Sequence, residues 1–119
     1  MKVAIPTLGM RGLDDEVFPH FGRAPTFTVV NLETGEVKVV PNMSEHMGGF
    51  GKPPEQLAEL GVSAVITSNL GPRAIEMFRS FGIEVYVGAY GKVRDAVELF
   101  RRDSLQKASL QSACREHRQ

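Results

Sequence analysis

Side chains able to do chemistry fall in four places along this chain. His20 ends one loop and stands just before a strand. A neutral imidazole is a common ligand for transition metals. The same residue can equally anchor its loop by a hydrogen bond to backbone. Phe18 and Phe21 flank it and are placed to shield an attached group from water. Arg23 suits an anionic ligand through charge-assisted hydrogen bonds, or else a surface salt bridge to Asp14, Asp15 or Glu16. The segment 43–51 holds Met43, His46, Met47, Gly48, Gly49 and Gly51. Thioether and imidazole donors suit iron or copper better than magnesium, and the glycines let backbone approach a bulky ligand. A flexible surface loop is the plainer reading of that segment. Asn69, Gly71 and the amides that open a helix at Pro72 make either an anion-binding helix start or an ordinary strand-to-helix turn. Cys114 and His117 form a C-x-x-H pair in a polar tail, where such spacing is usually incidental.

None of this assembles into a catalytic constellation. Gly51-Lys52 is followed by Pro53 rather than Ser or Thr, so the glycine-rich segment is not a phosphate-binding P-loop. Asp14, Asp15 and Glu16 read as a solvated acidic loop. A two-metal nuclease needs carboxylates on its strands, and residues 2–6 and 64–67 carry none.

The elements that must position these residues follow from pattern. Residues 2–6 are a short apolar run stopped by proline and read as a buried strand. Residues 7–21 read as a long loop. Residues 26–32 and 37–40 are strands joined by a turn at Thr34-Gly35, so 26–40 is a hairpin. Pro53-Pro54 start a helix that runs to about residue 60, where Gly61 ends it. Residues 64–67 are a strand, Pro72 begins a helix with an apolar stripe through Ile75 and Phe78, and residues 83–87 are a fifth strand. Val93, Ala96, Val97 and Phe100 fall at i, i+3, i+4 and i+7, the clearest helical pattern in the chain. Alternation of helix and strand after Gly61 implies parallel strands with right-handed crossovers. The expected architecture is one α/β domain, a five-stranded mixed sheet with helices on both faces, followed by a polar tail over residues 104–119 that packs weakly.

Composition narrows the function classes. The chain has 119 residues and 42% hydrophobic content, enough for one domain with its own core. Its 14 basic and 14 acidic residues cancel, so no broad cationic footprint for nucleic acid or anionic membrane is expected. A single cysteine rules out an internal disulfide framework and a four-cysteine cluster site. The opening residues contain no secretory apolar core, no run approaches the length of a membrane span, and a cytoplasmic location is the expectation.

Three ordered segments resemble the dinitrogenase iron–molybdenum cofactor biosynthesis family. His20-Phe21-Gly22-Arg23-Ala24-Pro25, followed by a strand and the turn Glu33-Thr34-Gly35, is similar to that family's signature and hairpin. Leu60-Gly61-Val62, then Ala64-Val65-Ile66, then Leu70-Gly71-Pro72-Arg73-Ala74, then Gly82-Ile83-Glu84-Val85-Tyr86 resembles its core. The likeness spans residues 1–103. Relatives often carry glycines where this chain has Ser68 and Asn69, which narrows that loop here.

The resemblance implies a ribonuclease H-like three-layer sandwich, a fold that does not itself imply nuclease activity. It further implies a non-enzymatic binding or carrier protein for an iron–sulfur or iron–molybdenum-type cluster in cofactor assembly or storage. Cluster donor and acceptor proteins would be its partners. On that reading His20 and His46 are the metal ligands, and Arg23, Met43, Met47, Gly48, Gly49, Asn69 and Gly71 line the cluster. Two other readings compete: a small-molecule enzyme using the loops at the strand carboxyl ends, and a regulatory interaction domain without a prosthetic group.

Overall fold

The structure is a computed structural model that describes residues 1–43 and 53–108. Its elements are β1 (Lys2–Thr7), β2 (Thr26–Asn31), β3 (Val37–Pro41), α1 (Pro53–Glu59), β4 (Val62–Ile66), α2 (Pro72–Ser80), β5 (Glu84–Val87), α3 (Val93–Arg101) and β6 (Gln106–Lys107). They form one sheet in the order β3-β2-β1-β4-β5-β6. β1 lies at its centre, antiparallel to β2 and parallel to β4.

The central strand is apolar because both of its faces are covered. Val3, Ala4 and Ile5 are fully buried, and alternation sends them to opposite sides. Val3, Ile5, Val30, Ala64 and Ile66 pack with Val93, Ala96 and Val97 of α3. Ala4, Phe27, Val29, Val65 and Val85 pack with Leu57 of α1 and with Ile75 and Phe78 of α2. The result is three layers, with α3 on one side of the sheet and α1 and α2 on the other. The β2–β3 hairpin closes as its sequence suggests. Asn31 Oδ1 accepts the amides of Glu33 (2.9 Å) and Thr34 (3.2 Å), and Gly35 takes φ 81°, a conformation glycine adopts without a Cβ clash.

The sheet has six strands, not the expected five. β6 pairs antiparallel with β5, with Tyr86 opposite Lys107 and Val87 opposite Gln106. The Ala108 amide donates to Val85 O at 2.8 Å. Leu105 and Ala108 are buried, so the first residues of the polar tail are part of the packed fold. Two residues are too few for a period-2 pattern to show in sequence. The structural gain is that β5 does not present an open edge. The chain turns back after α3 at Asp103, which takes φ 58°, a region Asp tolerates better than most residues.

The acidic loop also departs from expectation. Asp15 is fully buried, not solvated. Its Oδ2 accepts the amides of Gly9 (2.9 Å) and Arg11 (3.1 Å), and its Oδ1 accepts the amide of Glu16 (2.8 Å). The Arg11 guanidinium stands 3.5 Å from Oδ1. Burial pushes the Asp15 carboxyl up; the three backbone donors and Arg11 outweigh it and hold the group below the usual carboxylate range. The same residue's backbone carbonyl accepts the Val93 amide at 2.9 Å, at the first turn of α3.

Two outcomes follow for stability. Leu105→Ala should lower the unfolding free energy by about 2 kcal/mol in urea titrations, at the low end for a buried leucine because the site lies at a sheet edge. Asp15→Asn should cost about 1–3 kcal/mol, since an amide cannot accept every N–H now directed at the carboxylate. A depressed carboxyl contributes stability above its unfolded pKa and loses it as pH falls through the folded value. Wild type should therefore weaken on acidification below about pH 4, and the Asn variant should show a flatter pH dependence of its urea midpoint.

Candidate functional site

The topology brings most of the functional loops to one edge. β1, β4 and β5 run in parallel, so the turns after residues 7, 66 and 87 leave from the same end of the sheet. The antiparallel hairpin adds the start of β2 and the end of β3 there. α1 and α2, which lead into β4 and β5 from this end, also begin at it. β1 and β4 are neighbours whose chains depart in opposite directions, which makes this edge the switch point where α/β sheets usually bind ligands.

Hydrogen bonds fasten these loops to one another. Residues 8–18 fold back on β1: Phe18 N donates to Pro6 O (2.8 Å) and Leu8 N to Glu16 O (3.3 Å). Val17 N reaches Gly91 O (2.8 Å), and Glu16 bridges to Lys92. Gly88 N donates to Ser68 O (3.0 Å) and Ser68 Oγ to Ala89 O (2.6 Å), tying the loop after β4 to the loop after β5. On the other flank Asn42 Nδ2 donates to Ala24 O (2.9 Å), and Gln56 of α1 bonds both Pro41 O (2.7 Å) and Met43 N (3.2 Å). Beneath them, the buried hydroxyl of Thr7 contacts those of Thr26 and Thr28 and pins the start of β2 to the end of β1.

The motif around His20 is a 3₁₀ turn over Phe21–Arg23. Phe21 is its anchor. The ring is buried, 5.1 Å from Phe27 and 5.3 Å from Phe78 between centroids. It belongs to the core, packed beneath the turn. Sinking Phe21 leaves His20 and Arg23 exposed on either side of it. The imidazole meets the half-buried Phe18 ring edge-on at 6.4 Å and has no hydrogen-bond partner among the described residues. The loop-anchoring alternative for His20 is therefore not the arrangement observed. Arg23 has no ion pair among the described residues either. Of the three acids proposed for it, Asp14 contacts Arg94 at 2.8 Å and Asp15 is buried facing Arg11, and exposed Glu16 makes no ion pair with it. Its hydrogen bond to Arg94, and the guanidinium's charge, hold Asp14 below the usual carboxylate range.

Met43 is exposed at the end of β3. Asn69 is exposed, and its Oδ1 accepts the adjacent Leu70 amide at 2.9 Å. Gly71 caps α2 with extended backbone and no side-chain hydrogen bond. His46, Met47, Gly48 and Gly49 lie outside the described residues, as do Cys114 and His117. Among the described residues no three His, Cys, Asp or Glu side chains gather to hold a metal ion. Sequence reasoning missed three apolar side chains at the same edge: Leu8, Met10 and Tyr90, the last two 69% and 67% exposed. The signal for Tyr90 was its place between Gly88 and Gly91 in a short turn, which presents a ring without burying it.

Residues 1–103 match the family described as dinitrogenase iron-molybdenum cofactor. An uncharacterized protein of Methanocaldococcus jannaschii is 35% identical over 112 residues, covering 90% of this chain and 91% of that protein. The apo form of the orange protein from Desulfovibrio gigas has a similar fold, with a TM-score of 0.80 at 30% identity, over 91% of this chain and 92% of that one. A NifB-like protein from Thermotoga superposes with a TM-score of 0.72 at 33% identity, over 89% of this chain and 91% of its own. With its sequence matched over nearly the whole folded domain, this chain belongs to the dinitrogenase iron-molybdenum cofactor family.

Proposed function

We propose that this protein is a non-enzymatic carrier that binds an iron–sulfur or iron–molybdenum-type cluster as cargo during cofactor assembly or storage. The observation that carries the reading is the His20 imidazole, exposed at the switch-point edge and free of hydrogen bonds among the described residues. A metal ligand needs a ring nitrogen not already bonded to the protein, and the exposed His20 ring meets that condition among the described residues. Family membership and the similar orange protein, described in an apo form, support the same reading.

The donor chemistry fits such a cargo. An imidazole and the exposed Met43 thioether are borderline and soft ligands, suited to iron and poorly suited to magnesium. The unpaired Arg23 supplies positive charge for an anionic cluster. Asn69 and Gly71 line the start of α2 at the same edge. Few ligands on an exposed turn leave most of a cluster's surface open to a donor or acceptor protein, as transfer requires. The ribonuclease H-like grouping is part of this proposal, as is the absence of a catalytic step. No described helix is long and apolar enough to cross a membrane.

The test is anaerobic titration of the purified protein with a synthetic iron–sulfur cluster and with extracted iron–molybdenum cofactor, followed by visible absorbance. His20→Ala should weaken binding by about tenfold or more, the scale on which perturbing a metal's ligand shell acts. Arg23→Ala should give a smaller loss that shrinks further as salt is raised. Equal, weak binding by wild type and His20→Ala would sink the carrier reading.

A further inference from the structure

The start of α2 holds more positive character than its own fold uses. The helix is nine residues long and opens with Pro72 after an extended Gly71. Among the described residues no side chain caps its first amides, and its first turn contains no acidic residue. It contains Arg73 instead, at a position where the helix dipole disfavours a cation. Arg73 is exposed and has no ion pair among the described residues. Among the described residues, a Cβ added at Gly71 would meet nothing within 4 Å, so no neighbour crowds the turn at that point.

A second observation comes from the strand beneath. Thr67 is fully buried and its Oγ1 has no hydrogen-bond partner among the described residues. The backbone ladder continues through it, since Thr67 N donates to Tyr86 O (2.9 Å) and Thr67 O accepts from Ala89 N (3.1 Å). Alternation therefore still applies. Val65 packs on the side of α1 and α2, and Ile66 on the side of α3. Thr67 returns to the α2 side, at the end of β4 from which the chain turns into α2. An orphan hydroxyl in that position is costly to keep unless a group from outside the chain completes it.

We propose that the β4–α2 turn is a binding subsite for a compact tetrahedral oxyanion, held by the first amides of α2, the Arg73 guanidinium and the Thr67 hydroxyl. Donors come from the helix start and from the sheet below it. A tetrahedral anion presents oxygens in several directions at once, which suits donors drawn from two different elements better than a planar carboxylate does. The idea goes beyond the carrier reading, on which its biological sense rests, by naming the chemistry of an anion that accompanies the cargo.

The test needs no cluster, so it can fail separately from that reading. Sodium sulfate and sodium phosphate are titrated at constant ionic strength against ¹⁵N-labelled protein, with sodium acetate as the planar comparison. Saturable shifts are expected at the amides of Gly71, Arg73 and Ala74. Arg73→Ala and Thr67→Val should each weaken sulfate binding by about tenfold or more. Thr67→Ser, which keeps the hydroxyl, should bind as wild type does. Arg79→Ala removes an exposed cation from the other end of α2 and should leave binding unchanged. Thr67→Val without anion should be at least as stable as wild type, because it removes an orphan. Non-saturable shifts spread over many arginines, or full affinity in both weakened variants, would overturn the proposal. A Thr67→Val protein less stable than wild type would overturn the place of the hydroxyl in the site, and acetate binding as tightly as sulfate would overturn the tetrahedral class.

Discussion

A buried carboxylate organises this molecule's functional edge. A charge removed from water is tolerated only where donors replace the lost solvation. Asp15 meets that condition with three backbone amides drawn from its own loop and with Arg11 alongside. The loop cannot open without exposing or orphaning that carboxylate. Its backbone carbonyl in turn takes the first amide of α3. One residue thus couples the long connection after β1 to the helix that covers the far face of the sheet. The turn that carries His20 and Arg23 lies at the other end of the same connection, so its starting point is fixed by this interaction.

Rigidity beneath and exposure above recur across the edge. Ser68 and Ala89 join the loops after β4 and β5, Ala89 is fully buried, and the adjacent Tyr90 ring stands in solvent. Phe21 is driven into the core, and its neighbours His20 and Arg23 stay outside. Gln56 clasps Pro41 and Met43 by backbone while the Met43 side chain remains exposed. In each case the chain spends hydrogen bonds or apolar burial to hold a short loop still. Held loops lose little further entropy when their side chains engage a ligand, and this is the physical sense of a preorganised surface.

The sequence disclosed what repeats and concealed what does not. β1 to β5 and the three helices were legible because apolar spacing, prolines and terminal glycines agreed with one another. β6 was hidden because two residues carry no period, and its role as an edge cover is visible only once β5 is in place. Asp15 looked like one of three neighbouring acids, since nothing in composition tells which carboxylate will find converging N–H groups. His20 and Phe21 show the same limit within a single motif. Their adjacency made both look like site residues, and only packing against Phe27 and Phe78 assigns Phe21 to the core. Leu8, Met10 and Tyr90 escaped notice because isolated apolar residues in loops are ordinary in sequence, and they become notable only when topology brings their loops to one edge.

That gathering bears on how such an edge would work in the proposed role. The imidazole, the thioether and two unpaired guanidinium groups stand open, spread along one rim with no acid–base pair among them. Such a rim can hold one side of a bulky anionic group and leave the other side for a second protein. The apolar residues fit this use: exposed Met and Tyr near a polar rim are typical of surfaces that meet other proteins. Binding through few ligands makes the hold modest, and a modest hold lets cargo move on when an acceptor offers more. The same frame that keeps the loops still allows exchange at their tips without opening the core, since none of the exposed donors belongs to either of the two packed layers beneath the sheet edge.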